Sequence, residues 1–384
     1  MKTIGVVTVA RSDYGIYLPI LKKIQAHQNL DLYLLVSGMH LSPEFGKTIE
    51  TIKNDGFPIG DQIEMLVSSD SPEAISKSMG LGTIGFAQSY ARYQPDILLV
   101  LGDRFEMHAA AVAALPFNIP IAHVHGGEST EGLIDESIRH SLTKMSHLHF
   151  ASTQKYAKRI IQMGEEPWRV KVSGAPSLDN LHDMTLLPKD ILEKELGFQL
   201  PKQVLLITFH PVTLEYENTE HQIKNLLQAI ETVNIPAIFT YPNSDTSGRQ
   251  IISHIDQFVQ QHPKHHVVAN LGTQRYFSLM QHVTAMVGNS SSGIIEAASF
   301  KLPVVNIGNR QKGRVHGHNV IQVSGESPAI VEGIHKATSS AFIQSLENLL
   351  NPYGNGEASD LIVNTLHKTT LDQNLLMKHF NDQV

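Results

Sequence analysis

The sequence predicts an α/β protein made of two doubly wound, Rossmann-like domains with a central cleft. Short continuous apolar runs, such as residues 4–9 and 204–208, alternate with amphipathic helical segments along most of the chain. Such runs are typical of parallel strands that are buried on both faces. At 384 residues the chain is also too long for one ordinary core. Because the strand–helix rhythm stops at a stretch rich in turn formers and then restarts, we expect two domains of similar architecture.

The first half shows this rhythm from its first residues onward. The first apolar run ends in A-R-S-D-Y-G, where Ser12 or Asp13 can cap the following helix. Ser-Pro pairs at 42–43 and 71–72 predict two more helix starts, since proline suits the first turn of a helix. Residues 100–150 then read strand, polar turn, helix, strand, polar turn, helix, strand. Further strands are predicted at residues 32–36 and 97–101.

The second half repeats the pattern after residues 178–188, which are rich in turn formers and are the predicted linker. We therefore expect an N-terminal domain over 1–180 and a C-terminal domain over 181–365. Residues 223–233 predict an amphipathic helix, and the chain from residue 328 onward is predicted to be mostly helical. The strands predicted in this half are residues 204–208, 235–240, 266–269, 283–287 and 303–307.

Charge and composition exclude several classes of protein. A formal net charge of -7 and a pI near 6.3 argue against a nucleic-acid binder, which needs a basic surface. The absence of cysteine excludes disulfides, a thiolate nucleophile and a cysteine-rich zinc site. The sequence has no apolar run near the roughly 20 residues that a membrane span requires, and its start resembles a first strand more than a signal peptide. We expect a soluble cytoplasmic protein.

Two polar turns follow the strands within residues 100–150. Asp103 and Arg104 lie in the first turn, and the second leads through His125 and Glu128 to Asp135. Because ligands bind beyond the carboxyl ends of parallel strands, these side chains are candidate acid and base groups.

The pair His123 and His125 leaves one alternative open. Two residues apart on a strand, they would share one face and could bind a metal ion. A third histidine at a metal-like spacing is missing from the sequence, and the neighbouring carboxylates could equally act as general acids and bases.

The segment G-N-S-S-S-G-I-I-E, residues 288–296, is the clearest phosphate-binding signal. It follows a predicted strand and opens a helix. Free backbone N–H groups there, with the hydroxyls of Ser290, Ser291 and Ser292, suit a phosphate or diphosphate. The segment is neither a Walker loop nor G-x-G-x-x-G. The alternative is a serine-capped helix after a glycine turn, with no ligand.

Basic side chains follow the next predicted strand. Arg310 and Arg314 lie in G-N-R-Q-K-G-R, residues 308–314, and an arginine fork matches phosphate oxygens well. His210 and Asn243 end two other strands of the same predicted sheet, so they should face the same edge. A solvated basic loop and a structural histidine are the alternatives.

Motifs spread over residues 10–314 resemble the hydrolysing UDP-N-acetylglucosamine 2-epimerases of sialic-acid and nonulosonic-acid biosynthesis. The motifs are A-R-S-D-Y-G (10–15), S-G-M-H-L (37–41), G-D-R-F-E (102–106), H-G-G-E (125–128), I-D-E-S-I-R-H-S-L-T-K-M-S-H-L-H-F (134–150), F-H-P-V-T (209–213), Y-P-N-S-D (241–245), G-N-S-S-S-G-I-I-E (288–296) and G-N-R-Q-K-G-R (308–314).

The resemblance implies a glycosyltransferase-B-like fold whose second domain mainly holds UDP. It implies that UDP-N-acetylglucosamine (UDP-GlcNAc) and water become N-acetylmannosamine and UDP, the first step of sialic-acid biosynthesis. The implied route is anti elimination of UDP to a 2-acetamidoglucal, then syn addition of water. It also implies no nicotinamide and no required metal, a homodimer or homotetramer, and a C-terminal helix at about 366–384 that packs on the first domain.

The resemblance also assigns residues. Asp103 and Asp135 match acidic catalytic residues of the family, with Glu128 and Arg104 in support. His125 stands where some members carry a catalytic glutamate, in H-x-E-G-G-E. This position therefore affects which group takes the C2 proton and which sugar is the substrate. Motifs and resemblance together give the predicted UDP-binding residues as Arg11, Asp13, His210, Asn243, Ser290, Ser291, Ser292, Gly293, Glu296, Arg310 and Arg314, with Glu296 suited to the ribose hydroxyls.

Four alternative functions stay open. A related branch acts on UDP-2,4-diacetamido-2,4,6-trideoxyglucose for legionaminic acid. A non-hydrolysing epimerase would carry G-T-R-P-E and H-V-E-A-G-L-R motifs, which this sequence lacks. The other two are a glycosyltransferase, which would need an acceptor, and a non-catalytic UDP-sugar sensor, against which Asp103 and Asp135 argue.

Overall fold

The computed structural model describes residues 1–69, 71–129, 134–212, 217–242, 248–269 and 271–382. Within these ranges the chain divides into two compact units. Unit 1 contains residues 1–129, 134–182 and 353–382, and unit 2 contains residues 183–352. Each unit has its own buried apolar core around a parallel sheet.

Unit 1 is built on a seven-stranded sheet with the order β3-β2-β1-β4-β5-β6-β7 and parallel neighbours. Its strands are β1 (Lys2–Thr8), β2 (Leu30–Ser37), β3 (Ile59–Ile63), β4 (Ile97–Leu101), β5 (Ile121–Val124), β6 (Leu148–Ala151) and β7 (Val170–Val172). Its helices before residue 184 are α1 (Arg11–Ala26), α2 (Ile49–Asn54), α3 (Pro72–Arg92), α4 (Phe105–Ala114), α5 (Ile134–Met145), α6 (Gln154–Gln162) and α7 (Ser177–Asp183). All five residues of β4 are buried, and since alternate side chains point to opposite faces, both faces of the sheet are covered there.

Unit 2 has a six-stranded parallel sheet with the order β10-β9-β8-β11-β12-β13. Its strands are β8 (Leu205–Thr208), β9 (Ala237–Thr240), β10 (His266–Val268), β11 (Ala285–Gly288), β12 (Val304–Ile307) and β13 (Val320–Val323). Its helices are α8 (Lys189–Leu196), α9 (Thr219–Val233), α10 (Gly248–Gln261), α11 (Gly272–His282), α12 (Ser291–Ile295), α13 (Ser327–Ala337) and α14 (Ser340–Ser345). Two more helices, α15 (Ala358–Lys368) and α16 (Gln373–Leu376), belong to unit 1. Short 3-10 helices occur at Gly38–His40, Pro43–Phe45, Leu115–Phe117, Pro167–Arg169 and Ala297–Phe300.

The predicted fold class is confirmed, because both sheets are parallel and doubly wound. The order of strands reverses between β1 and β4 in unit 1 and between β8 and β11 in unit 2. At such a switch point the connections leave in opposite directions, so a crevice opens beyond the carboxyl ends of the two strands. Each unit therefore carries one position that is suited to a ligand. Among the described helices, none is long and apolar enough to cross a membrane.

One expectation about a helix start is wrong. Ser42-Pro43 opens only the 3-10 turn Pro43–Phe45, because Gly46 takes a left-handed backbone with φ of 85° and ends it. The predicted linker at 178–188 contains the division between the two units, between His182 and Asp183, although its first residues form most of α7. The Asp179 carboxylate of α7 accepts hydrogen bonds from the backbone N–H groups of Ala358 and Ser359, which ties the segment to the start of α15.

The expected helix over 366–384 is also wrong within the described residues. Helix α15 ends at Lys368, and after the single turn of α16 the chain is not helical to residue 382. The Lys2 ammonium satisfies carbonyls that this helix end leaves free, since it donates to those of Leu366, His367 and Thr369.

Three edge strands, β3, β7 and β13, were missing from the predicted set. All three are only partly buried, so none shows the continuous apolar run that marks the central strands.

Candidate active site

The switch point of unit 1 lies beyond β1 and β4, and four predicted site residues follow these strands. Gly102, with φ of 73°, turns the chain after β4, and Asp103 follows with 22% of its side chain exposed. Arg11 begins α1 directly after β1 and is exposed. The reversal of strand order thus brings Arg11, Asp103 and Arg104 to one edge of one sheet.

Arg139 pairs with Asp103, although the two residues are 36 positions apart. Arg139 lies in α5 and only 3% of its side chain is exposed. Its Nη1 donates to the carbonyl of His125 at 3.3 Å and lies 3.5 Å from Oε2 of Glu128. A buried guanidinium therefore bridges the two polar turns, and two carboxylates share its charge.

Glu128 is the centre of this network. Its Oε1 accepts hydrogen bonds from Nδ1 of His125 and from the hydroxyl of Ser152, each at 2.6 Å. Because Nδ1 donates to a carboxylate, Nε2 of His125 carries the lone pair in the neutral ring. Within the described part of the chain, Nε2 is buried and has no hydrogen-bond partner.

The expectation that His123 and His125 share a strand face is wrong. β5 ends at Val124, and His125 adopts a left-handed backbone with φ of 63°, a strained conformation for a residue with a side chain. His123 instead points into the core, where Nε2 donates to the carbonyl of Gly102 at 2.8 Å. Among the described residues, no group of three or more histidine, aspartate or glutamate side chains could hold a metal ion.

Arg104 is held by Glu106 at the start of α4. Its Nε and Nη2 lie 3.2 and 3.0 Å from the two Glu106 carboxylate oxygens, and Glu106 is fully buried. Burial lowers the pKa of Arg104, but the carboxylates of Glu106, Asp13 and Asp135 together outweigh burial, so the pKa is raised. Arg104 thus stays cationic within electrostatic reach of Asp135.

Asp13 has a structural role in this structure. Its two oxygens accept hydrogen bonds from the Thr8 hydroxyl and from the backbone N–H groups of Val9 and Ala10, at 2.6 to 2.9 Å. Only 3% of the residue is exposed, and burial raises the pKa of its carboxyl to about 6 despite these bonds. The structure therefore favours a role in fixing the turn after β1 over the predicted contact with UDP.

In unit 2, the switch point is organised by Asn289, the first residue after β11. Its Oδ1 accepts from the backbone N–H of His210 at 2.7 Å, and its Nδ2 donates to the carbonyl of His210 at 2.8 Å. Its own carbonyl accepts from Arg310 at 3.1 Å and from Gln311 at 2.9 Å. Burial, with a smaller effect of Arg310, lowers the pKa of His210 to about 3, so this imidazole is neutral at pH 7.

The serine-rich segment forms the start of α12. The Ser290 hydroxyl accepts from the backbone N–H of Ser292 at 3.3 Å, so it caps the helix. Gly293 lies against β12, where an added Cβ would come within 2.9 Å of Val304. The predicted phosphate site is thus a short, capped helix start with Arg310 beside it, and Gly293 is required for packing.

Tyr276 joins this group although no sequence motif predicted it. It comes from α11, and its buried hydroxyl lies near Thr208, Ser290 and Ser292, without a hydrogen bond to any of them among the described residues. Burial raises the pKa of this phenol to about 12, so it stays a hydrogen-bond donor at neutral pH. Arg314 lies further along the loop after β12 and is partly buried, and Glu296 follows α12. The predicted residue Asn243 lies outside the described residues.

The residues at the two switch points differ in their chemistry. Unit 1 offers an accessible carboxylate, Asp103, that is backed by a buried arginine, together with a histidine–glutamate pair. That set can move protons. Unit 2 offers backbone N–H groups, hydroxyls and an arginine, a set that suits a phosphate anion.

Solved structures share this fold. The structure of UDP-GlcNAc 2-epimerase from Neisseria meningitidis, bound to UDP-GlcNAc, has a TM-score of 0.81 at 20% identity and covers 96% of this chain and 100% of that chain. The Methanocaldococcus jannaschii UDP-GlcNAc 2-epimerase in complex with UDP-GlcNAc and UDP has a TM-score of 0.75 at 19% identity and covers 95% of this chain and 99% of that chain. The protein is therefore of the glycosyltransferase-B-like class, with two Rossmann-like domains.

Sequence comparison then gives the family. Residues 22–367 match the family model described as UDP-N-acetylglucosamine 2-epimerase. The chain is 40% identical over 383 residues to the GDP/UDP-N,N'-diacetylbacillosamine 2-epimerase (hydrolyzing) of Campylobacter jejuni, covering 99% of both chains. It is 36% identical over 372 residues to the UDP-N,N'-diacetylbacillosamine 2-epimerase (hydrolyzing) of Legionella pneumophila, covering 97% of both. The chain belongs to the UDP-N-acetylglucosamine 2-epimerase family.

These findings confirm the expected enzyme class but not the expected sugar. Both relatives above are named for diacetylbacillosamine, whereas the sequence favoured UDP-GlcNAc. A polysialic acid biosynthesis protein P7 of Escherichia coli is also similar, at 38% identity over 92% of this chain and 90% of its own length. Substrate and site residues stay predictions.

Proposed function

We propose that the protein is a hydrolysing 2-epimerase that acts on UDP-N,N'-diacetylbacillosamine, which is UDP-2,4-diacetamido-2,4,6-trideoxyglucose. The proposed reaction consumes one water and releases UDP and free 2,4-diacetamido-2,4,6-trideoxymannose. The observation that supports this sugar is the 40% identity, over 99% of both chains, to an enzyme named for it. UDP-GlcNAc is the second candidate, supported by a Neisseria meningitidis UDP-N-acetylglucosamine 2-epimerase that is 32% identical over 88% of both chains.

The proposed route begins with anti elimination. The hydrogen on C2 of the sugar is not acidic, so the bond between C1 and the diphosphate oxygen breaks largely first and leaves oxocarbenium character at C1. We propose that Arg310 and the start of α12 stabilise the departing diphosphate in unit 2. A base of unit 1 then takes the C2 proton, and a glycal with a double bond between C1 and C2 results.

Syn hydration completes the reaction. A water oxygen adds to C1, and a proton is delivered to C2 on the face opposite to the one that lost it, which inverts C2. Asp103, His125 and Asp135 are the proposed proton carriers, with Arg104 and Glu128 in support. The accessible Asp103 carboxylate beside Arg139 supports this assignment, since it follows β4 at a switch point, where ligands bind to such sheets.

The test is NMR of the reaction in deuterated water. UDP-N,N'-diacetylbacillosamine, its GDP counterpart and UDP-GlcNAc are supplied to the wild-type protein in parallel. We expect free 2,4-diacetamido-2,4,6-trideoxymannose with deuterium at C2, together with UDP, at the highest kcat/KM of the three substrates. A product that still carries UDP would contradict the hydrolysing assignment. A higher kcat/KM with UDP-GlcNAc would replace the proposed sugar by the second candidate.

A further inference from the structure

A line of contacting polar side chains runs from the surface of unit 1 into its core. Asp103 is its most accessible member, with 22% of the side chain exposed, and its partner Arg139 is 3% exposed. Glu128, whose Oε2 lies 3.5 Å from Arg139, is also 3% exposed. Ser152 lies behind Glu128, directly after β6, and is 1% exposed. Each member is thus supported by one that is at least as deeply buried.

Glu128 is held on one side by two donors and faces Arg139 with the other. The Ser152 hydroxyl and Nδ1 of His125 both donate to Oε1, at 2.6 Å each. Two short bonds to one oxygen fix the rotation of the carboxylate, and this rotation keeps Oε2 toward Arg139. Loss of the Ser152 hydrogen bond would leave the carboxylate freer to turn away from the guanidinium.

We propose that Ser152 is a positioning residue for the proton transfers at Asp103, acting through Glu128 and Arg139. This proposal rests on the proposed function. Acid–base catalysis is sensitive to small displacements of the reacting group, so a loosened Arg139 would place the Asp103 carboxylate less accurately. The Ser152 hydroxyl donates to Glu128. Within the described residues it makes no hydrogen bond to Asp103 or Arg139.

Ser146 provides a matched control. It is as deeply buried as Ser152, with 0% exposed, and lies in the same unit directly after α5. Its hydroxyl donates to the carbonyl of Leu142 in the last turn of α5, and not to the network. Ser146→Ala therefore removes a buried hydroxyl and its hydrogen bond without changing the support of Glu128.

The first experiment compares Ser152→Ala and Ser146→Ala with the wild type on the best nucleotide sugar. We expect Ser152→Ala to lower kcat roughly tenfold to hundredfold, because a misplacement of about 1 Å can cost about 10²-fold in rate. KM and the dissociation constant of UDP should not change, and Ser146→Ala should keep the wild-type kcat. If the wild type is active and Ser152→Ala has the same kcat, the inference about Ser152 is overturned and the proposed function is not. A wild type without activity on any nucleotide sugar overturns the proposed function and this inference with it.

A double-mutant cycle with Glu128→Gln separates positioning from general loss of structure. If Ser152 acts through Glu128, Ser152→Ala changes the residual kcat of Glu128→Gln less than about twofold, because coupled sites are not additive. A reduction as large as in the wild-type background would show an independent role for the Ser152 hydroxyl and overturn the proposal.

Discussion

The Asn289 side chain makes hydrogen bonds to both main-chain polar groups of His210. Its amide oxygen accepts from the His210 N–H at 2.7 Å and its amide nitrogen donates to the His210 carbonyl at 2.8 Å. These residues follow β11 and β8, the two strands that flank the switch point of unit 2. One side chain thus fixes the spacing of the two strand ends where we expect UDP to bind.

Replacing Asn289 by alanine should weaken UDP binding and destabilise unit 2. Two buried backbone groups of His210 lose their partners, at a cost of about 1–3 kcal/mol each. We expect the dissociation constant of UDP, measured by calorimetry, to rise at least about tenfold, which is about 1.4 kcal/mol. Asn319→Ala is the control, since Asn319 is equally buried and donates to the carbonyl of Leu302 before β12. Equal losses of affinity in both variants would contradict a specific role for Asn289.

Asp103→Asn should remove turnover while UDP still binds. The amide keeps the size of the side chain but cannot take a proton from C2 or pair with Arg139 as a charge. General acid–base groups typically contribute about 10²- to 10⁴-fold, so kcat should fall by that order. Asp61→Asn is a matched control, because Asp61 also pairs with an arginine, Arg92, with 20% of its side chain exposed, but lies on the edge strand β3. Unchanged turnover in Asp103→Asn would remove this carboxylate from the mechanism.

The fold and the edge of the site follow from simple properties of the sequence. Central strands of a parallel sheet are apolar on both faces, so β4 and β8 stand out as continuous runs. Residues that end such strands meet at one edge whatever the details of packing, and this brings Asp103 and Ser290 to switch points. Edge strands such as β3 and β13 are half exposed and lack that signal.

The partners of the site residues depend on contacts that the sequence does not encode locally. Arg139 reaches Asp103 only because of the rotation of α5 and the register of β4 against β5. Tyr276 reaches the serines from α11, a helix whose facing is set by the sheet beneath it. Residues two apart share a face only within a strand. His125 does not share a face with His123 because β5 ends one residue earlier, at Val124, and the backbone of His125 is left-handed.

The buried histidine His123 should make stability depend on pH. Burial lowers its pKa from an ordinary 6.5 to about 3, so between these values the unfolded chain binds a proton that the folded chain does not. Stability therefore falls as the pH drops below 6.5. Since the folded pKa lies well below 5, this one group accounts for about 2 kcal/mol of the loss between pH 7 and pH 5.

His123→Gln should reduce that pH dependence by the same amount. The free energy of unfolding in urea is measured at pH 7 and pH 5 for the variant and for His221→Gln, whose histidine side chain is 66% exposed. We expect the decrease between the two pH values to become smaller by about 2 kcal/mol in His123→Gln and to stay as in the wild type in His221→Gln. The same slope in all three proteins would mean that His123 takes up a proton in the folded state.

Arg169 should be essential for keeping the C-terminal segment on unit 1. The residue is 1% exposed, and its guanidinium donates to the carbonyls of His147, Asn374, Leu375 and Met377 and to the carboxylate of Glu166, at 2.7 to 3.2 Å. Three of these carbonyls belong to α16 and the residue directly after it. We expect Arg169→Met to lower the free energy of unfolding by about 3–5 kcal/mol, as when one partner of a buried charged contact is removed.

The same variant should expose the chain end to protease. Lys378 follows the segment that Arg169 holds, and its ammonium is itself bound by Glu165, so trypsin should cleave there slowly in the wild type. In Arg169→Met the cleavage should become faster, at a rate that mass spectrometry of the released peptide measures. Arg92→Met removes an arginine whose side chain is 62% exposed and pairs with Asp61, so it should cost less than about 1 kcal/mol and leave the cleavage rate unchanged. If the two variants behave alike, the C-terminal segment is held by its apolar contacts and not by Arg169.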